Sequence, residues 1–184
     1  MLNKIGIDSI VVDDYRMLSE ATKIILPGVG AFDQGIKSLQ DLGFFNEIIK
    51  AARQEIPILG ICLGMQLLGE KSEEGDLKGL NLIPGKTCKF KFLNKNLKVP
   101  HMGWNEINLK NKNQITNNLV KGSRFYFVHS YHFEPYNLEH SISTTNYGIN
   151  FHSIVGKKNI FGTQFHPEKS HQYGIQILKN FSEI

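Results

Sequence analysis

The segment Pro57-Ile58-Leu59-Gly60-Ile61-Cys62-Leu63-Gly64 constrains this chain more than any other. Pro57 to Ile61 is a short continuous apolar run, as expected of a strand buried on both faces. It leads straight into Gly60-Ile61-Cys62-Leu63-Gly64, the G-x-nucleophile-x-G pattern of a nucleophile elbow with Cys in place of Ser. A strand-to-helix turn this sharp strains its central residue, and small neighbours let strand and helix pack closely. The thiol then stands at the strand's C-terminal end and at a helix N-terminus, where the dipole and free N–H groups suit an anion. The helix is expected to run through Met65, Gln66, Leu67 and Leu68. A strand buried on both faces needs cover above and below, which points to an α/β sheet.

The rest of the first half agrees. Ile10-Val11-Val12 and Lys23-Ile24-Ile25-Leu26 are β-branched runs that read as strands, the second closed by Pro27-Gly28. Asp33 is placed to cap a helix over Gln34 to Leu42, with Ile36 and Leu39 on one face. Phe45, Ile48, Ile49 and Ala52 recur at helical spacing within Phe44 to Glu55. This alternation predicts an open, mostly parallel sheet with helices on both faces. The second half is strand-rich, with candidates at Thr87–Phe92, Asn105–Leu109, Phe125–Val128, Ser141–Thr145, Phe151–Val155 and Ile160–Phe165. A last helix is expected from His171 to Ser182, with Ile175, Leu178 and Phe181 on one face. No repeat or linker divides the chain, so residues 1–184 read as one domain.

Composition excludes other classes. The 184 residues are 41% hydrophobic and 21% charged, a globular balance rather than a disordered or fibrous one. No apolar run approaches the ~18 residues of a membrane span, and the N-terminus lacks a signal-peptide stretch, so a cytoplasmic chain is expected. Two cysteines support neither a disulfide scaffold nor a Cys-only zinc site, which fits a reducing compartment. The net charge of +4, with lysines concentrated from Lys86 to Lys98, reads as a solvated basic surface, since no nucleic-acid motif accompanies it.

A thiol nucleophile wants a general base, and the base wants a group that holds its tautomer. Gln164-Phe165-His166-Pro167-Glu168-Lys169-Ser170 supplies both. His166 and Glu168 are two residues apart at a strand end, so they can point to one side, with Pro167 fixing a φ angle between them. The other six histidines, His101, His129, His132, His140, His152 and His171, read as structural or surface residues. No metal site is expected: His129 and His132, three apart on one strand, would face opposite ways. Cys88 has no glycine bracket and reads as a buried small hydrophobe. The glycine turn Pro27-Gly28-Val29-Gly30 can aim backbone N–H groups into a pocket as an oxyanion site. It lacks the spacing of a dinucleotide or phosphate loop, so no cofactor is expected.

Taken together, the sequence resembles the class I (triad) glutamine amidotransferases and, within them, the glutaminase subunits of imidazole glycerol phosphate synthase. The motifs are Leu26-Pro27-Gly28-Val29-Gly30-Ala31-Phe32, Gly60-Ile61-Cys62-Leu63-Gly64-Met65-Gln66, Pro100-His101-Met102-Gly103-Trp104-Asn105, Tyr126-Phe127-Val128-His129-Ser130-Tyr131 and Thr163 to Ser170. The resemblance implies that Cys62 attacks the side-chain amide of glutamine, that His166 moves the protons, and that Glu168 orients it. It implies an oxyanion site at the amides of Val29 and Leu63, reached by a peptide flip at Gly28-Val29. Gly28, Gly30, Gln66, His129, Ser130 and Tyr131 would hold glutamine. A (β/α)8-barrel cyclase would dock at Trp104 and Lys169, form a heterodimer, and receive ammonia through a channel for histidine biosynthesis.

Two departures from that pattern stand out. The family's buried first strand, its glycine turn and most of its first helix, about 20 residues, have no counterpart before Met1. The chain thus reads as N-terminally truncated, with a start codon placed too far downstream favoured over a compromised protein. In addition, Thr144–Ile149 and Lys169–Gly174 resemble paralogues that supply ammonia for amidination of a bacterial surface sugar. A catalytically compromised, partner-binding subunit is the remaining alternative.

Overall fold

The computed structural model describes residues 1–92 and 97–184. Lys95, within the lysine concentration, lies outside the described residues. Two short 3-10 turns, Leu2–Ile5 and Tyr15–Glu20, precede β1 (Ile24–Gly28), α1 (Phe32–Asp41), α2 (Phe44–Arg53), β2 (Ile58–Cys62) and α3 (Leu63–Leu67). There follow β3 (Lys71–Ser72), β4 (Gly85–Lys89), β5 (His101–Glu106), β6 (Asn108–Leu109), β7 (Arg124–His129) and β8 (Tyr131–Pro135). The chain closes with β9 (Ser141–Tyr147), β10 (Ile149–Lys157), β11 (Ile160–Thr163) and α4 (His171–Glu183).

The central sheet has the order β1-β2-β11-β10-β9-β6. β2 lies between β1 and β11 and pairs parallel with both. The remaining pairings are antiparallel, because the strand-rich half adds hairpins to one edge. Every residue of β2 is buried. Ile58 faces a cluster built with Phe32, Ile36, Ile48 and Ala51 of α1 and α2, while Leu59 and Ile61 face Ile177, Leu178 and Phe181 of α4. Helices therefore cover both faces, and their apolar stripes bury against a strand that has no polar side. Among the described residues, no helix is long and apolar enough to cross a membrane.

Two small sheets flank this core. β5 pairs antiparallel with β7, and β8 pairs antiparallel with β4. The chain passes from one small sheet to the other across the single residue Ser130, whose carbonyl accepts from Phe90 N–H at 3.3 Å. The sequence places His129 and His132 on one strand; the structure instead makes Tyr131–Pro135 a separate strand after the break at Ser130.

Three local expectations fail. Ile10-Val11-Val12 is not a strand, and Ile10 and Val11 are 74% and 96% exposed. A β-branched run becomes a strand only when an edge pairs with it, and no described strand does. Asp33 does not cap α1; the N-cap is Ala31, without a side-chain bond. Instead, the Asp33 carboxylate accepts from Asp76 N–H and Leu77 N–H, each at 3.0 Å, and ties down the loop after β3. Finally, His129 and His132 do not face opposite ways. The strand breaks between them, and both rings pack on Phe90, with centroids 5.2 Å and 4.9 Å away.

Candidate active site

Cys62 closes β2 with φ 54 and ψ −109 and caps α3. A positive φ at a non-glycine residue is strained. The strain persists because the glycine bracket lets main chain meet main chain. A Cβ on Gly64 would lie 1.8 Å from the Leu26 carbonyl oxygen, and one on Gly60 would lie 2.6 Å from the Gly64 carbonyl oxygen. α3 spans five residues, so the groups that matter around the sulfur are close ones rather than a long helix dipole. The thiol points at the Val128 carbonyl, 3.8 Å away, and the Gln164 side-chain amide donates toward the sulfur at 3.9 Å.

His166 follows β11, and Glu168 lies on the 3-10 turn Pro167–Lys169. The turn, rather than strand alternation, brings the pair together: His166 Nδ1 is 2.7 Å from Glu168 Oε1. His166 N–H donates to the Tyr126 carbonyl at 3.0 Å, and Ser170 Oγ donates to the His166 carbonyl at 2.6 Å. Nε2 of His166 is buried without a hydrogen-bond partner. Burial opposes charge on this ring, but the neighbouring Cys62 and Glu168 outweigh it and raise its pKa to about 9. Burial opposes ionisation of Glu168 as well, yet its bond to His166 brings the carboxyl below its usual range.

Cys62 and His166 line one pocket of about 320 Å³, together with Val29, Gly30, Leu63, Gln66, His129, Ser130 and Tyr131. Gly28 is not in this lining; it lies beneath, where an added Cβ would stand 3.1 Å from Gly64 N and from Leu63 Cβ. Val29 is 80% exposed at the rim. His129 is buried, and burial drives its pKa down to about 3. Trp104 and Lys169 lie outside the pocket in a surface patch. Trp104 stacks on His171, with centroids 5.1 Å apart, and Lys169 Nζ lies 5.7 Å from the Tyr126 ring centre. Cys88 is buried, and burial with the adjacent Glu134 carboxylate raises its thiol to about 11. Among the described residues, no three His, Cys, Asp or Glu side chains gather as a metal site.

Sequence reasoning missed Glu74, Pro100 and Val128 in this lining, and the contact of Gln164 with the sulfur. Glu74 is the one carboxylate among the lining residues. Its Oε2 accepts from Phe32 N–H at 2.8 Å, which satisfies a first-turn donor of α1. Only the adjacency of Ser72-Glu73-Glu74-Gly75 to the elbow helix hinted at it. Gln164 sits two residues before His166 and carried no separate signal.

The chain has relatives in sequence and in fold. The family model for glutamine amidotransferase class-I matches residues 2–184. The chain is 51% identical over 182 residues to imidazole glycerol phosphate synthase subunit HisH 2 of Methanococcus maripaludis, covering 98% of this chain and 90% of that one. It is 43% identical over 192 residues to subunit HisH of Bdellovibrio bacteriovorus, covering 100% of this chain and 92% of that one. Among solved structures, a glutamine amidotransferase has TM-score 0.74 at 16% identity, over 98% of this chain and 90% of that chain. Another glutamine amidotransferase, from Thermotoga maritima, has TM-score 0.63 at 18% identity, over 98% of this chain and 69% of that chain. Those structural likenesses establish the shared fold. The chain belongs to the class-I glutamine amidotransferases, a family of enzymes.

Proposed function

We propose that Cys62, His166 and Glu168 act as a triad that hydrolyses glutamine to glutamate and ammonia. The ammonia then passes to a (β/α)8-barrel cyclase that makes imidazole glycerol phosphate. The observation that carries this reading is the shared pocket: a strained elbow thiol and a carboxylate-held imidazole open on the same cavity as Gln66 and Glu74.

The steps follow from these groups. His166 Nε2 takes the proton of the Cys62 thiol as the sulfur bonds to the amide carbon of glutamine, and the carbonyl electron pair moves onto oxygen. The N–H groups of Val29 and Leu63 receive that oxyanion. As the carbon–nitrogen bond breaks, the nitrogen takes a proton from His166 and leaves as ammonia. A glutamyl thioester remains on Cys62. His166 then removes a proton from water, the water oxygen attacks the thioester carbon, and as the carbon–sulfur bond breaks His166 returns that proton to the sulfur, giving glutamate and the thiol. Glu168 keeps the imidazole in one orientation throughout. Glu74 suits the α-ammonium of glutamine, since a carboxylate has room for several donors and the Phe32 amide uses only one. Gln66, Gly30, His129, Ser130 and Tyr131 complete the amino-acid site.

Released into water, ammonia would be protonated and lost. The exposed patch at Met102, Trp104 and Lys169 suits a docked partner that captures it. The relatives' names, synthase subunits, support such a partner. The test is to add the barrel cyclase, that cyclase's own phosphorylated substrate and glutamine, and to follow glutamate and imidazole glycerol phosphate together. Both products are expected. Glutamate without imidazole glycerol phosphate would leave the triad and move the acceptor to the surface-sugar alternative.

A further inference from the structure

The carbonyl oxygen of Tyr131 can only accept hydrogen bonds, and it fixes a longer chain of them. His129 Nδ1 lies 2.8 Å from it, so Nδ1 carries the proton. Burial keeps His129 neutral, so its Nε2 is bare and accepts. His101 stands directly opposite His129 in the β5–β7 register. Its Nδ1 is 3.0 Å from that Nε2 and must donate. His101 is likewise kept neutral by burial, so its own Nε2 accepts from Asn105 Nδ2 at 3.3 Å. Asn105 has no freedom to turn, since Nδ2 also donates to the Asn146 carbonyl at 2.9 Å and Oδ1 accepts from Glu106 N–H at 2.8 Å.

On the other side, Gln66 Nε2 donates to the same Tyr131 carbonyl at 3.1 Å. Its second hydrogen goes to Gln164 Oε1 at 3.2 Å. That bond turns the Gln164 amide nitrogen toward the Cys62 sulfur. Two main-chain carbonyls, those of Asn146 and Tyr131, therefore dictate every hydrogen position in between. Packing holds the middle member in place: the His101 ring lies 4.8 Å from Phe127 and 4.1 Å from Tyr147, centre to centre, and stacks on both.

We propose that His101 and Gln164 are positioning residues for the nucleophile, joined by one hydrogen-bond network centred on the Tyr131 carbonyl: Asn105, His101 and His129 donate in turn toward it, while Gln66 donates both to it and to Gln164, whose amide donates to the Cys62 sulfur. The network starts on β5 beside exposed Trp104 and ends at the atom that attacks substrate. A change in β5 on docking thus has a contiguous physical route to the sulfur. The functional part of this proposal rests on reading Cys62 as the nucleophile.

Long-range proton–nitrogen NMR of the full-length chain tests the directions without any variant. His101 and His129 should both show the Nδ1–H tautomer, opposite to the usual preference of free imidazole. Either ring found as Nε2–H overturns the network. Two variants test its effect. His101→Phe keeps the stacking and removes both nitrogens, and Gln164→Leu removes the donor to sulfur. Each should slow alkylation of Cys62 by iodoacetamide about tenfold, the scale of one hydrogen bond to a charged group. In a glutaminase assay kcat should fall similarly, with KM within about twofold. His101→Gln, which keeps a donor toward His129, should recover most of the loss. Unchanged alkylation in both first variants overturns the proposal. Alkylation does not require glutamine, so correct tautomers and slowed alkylation with no glutamine turnover would sink only the proposed function.

Discussion

Removing the Cys62 sulfur bears on two claims at once. Cys62→Ala should abolish glutamate formation, because the thiol supplies the covalent step and little packing area is lost. It should also lower the pKa of His166. Burial pulls that pKa down, and the sulfur is the first of the neighbours that lift it to about 9. Titration of the ring by NMR in parent and variant checks this, and an unshifted ring would contradict it. His166→Ala should cost roughly 10²- to 10⁴-fold in turnover, the range of general acid–base catalysis. Glu168→Gln should cost less, since Glu168 orients the base and is not the base; a larger loss at Glu168 would reverse these roles. The pair also has a stability signature. The raised His166 contributes fully below its ordinary value of 6.5, and that contribution fades as pH rises through about 9. The lowered Glu168 contributes above its ordinary 4.5 and less as pH falls. The stability difference between parent and Glu168→Gln should therefore peak between these limits. With the Glu168 side chain 42% exposed, the difference should be no more than about 1 kcal/mol. Cys62 and the His166–Glu168 pair were legible in sequence because their signals are local: a glycine bracket and a two-residue spacing. Glu74 and Gln164 were not, because each acts through a neighbour that only folding brings near.

At the level of elements, the elbow depends on contact between main-chain atoms. Gly64→Ala would place a methyl carbon 1.8 Å from the Leu26 carbonyl oxygen, so β1 or α3 must move. Neither is a flexible side-chain tip. A loss of roughly 2–4 kcal/mol is expected in urea unfolding. A variant within about 0.5 kcal/mol of the parent would show that the elbow tolerates a wider gap than this packing allows. The elements with strong internal periodicity, α1, α2, α4 and β2, were legible within a few residues of their ends. Ile10-Val11-Val12 had strand propensity and no partner, and propensity alone does not make a strand. Tyr131 to Pro135 mixes His132 and Glu134 with buried Phe133, which hides its alternation, and it pairs with β4 across more than forty positions of sequence. Asp33 had the right residue type for a cap, but the loop amides of Asp76 and Leu77 took its carboxylate instead.

At the scale of the whole molecule, the proposal is that chemistry waits on a partner. The isolated chain should be a poor glutaminase, and a docked cyclase should stimulate it strongly. The turn carrying Val29 contains Gly30 at φ +103, a conformation that glycine holds at little steric cost, so the turn can rest in an inactive form. Stimulation cannot exceed the partner's differential affinity for the two forms; a hundredfold gain corresponds to about 2.7 kcal/mol. Glutamate production with and without saturating cyclase measures it, and an unchanged rate would leave capture of ammonia as the partner's only role. The α/β class was legible because strand and helix periods alternate along the first half. The meeting of Cys62 with His166 was not, since it depends on β11 lying beside β2, a pairing that nothing local announces.

The most direct test of the central claim is the intermediate itself. The full-length chain would be mixed with glutamine and saturating cyclase, quenched in acid, and digested for mass spectrometry. The account predicts a glutamyl thioester on the peptide that carries Cys62, absent from Cys62→Ala. Glutamate formed at the parent rate with no adduct at Cys62, or with the adduct at Cys88, would contradict it.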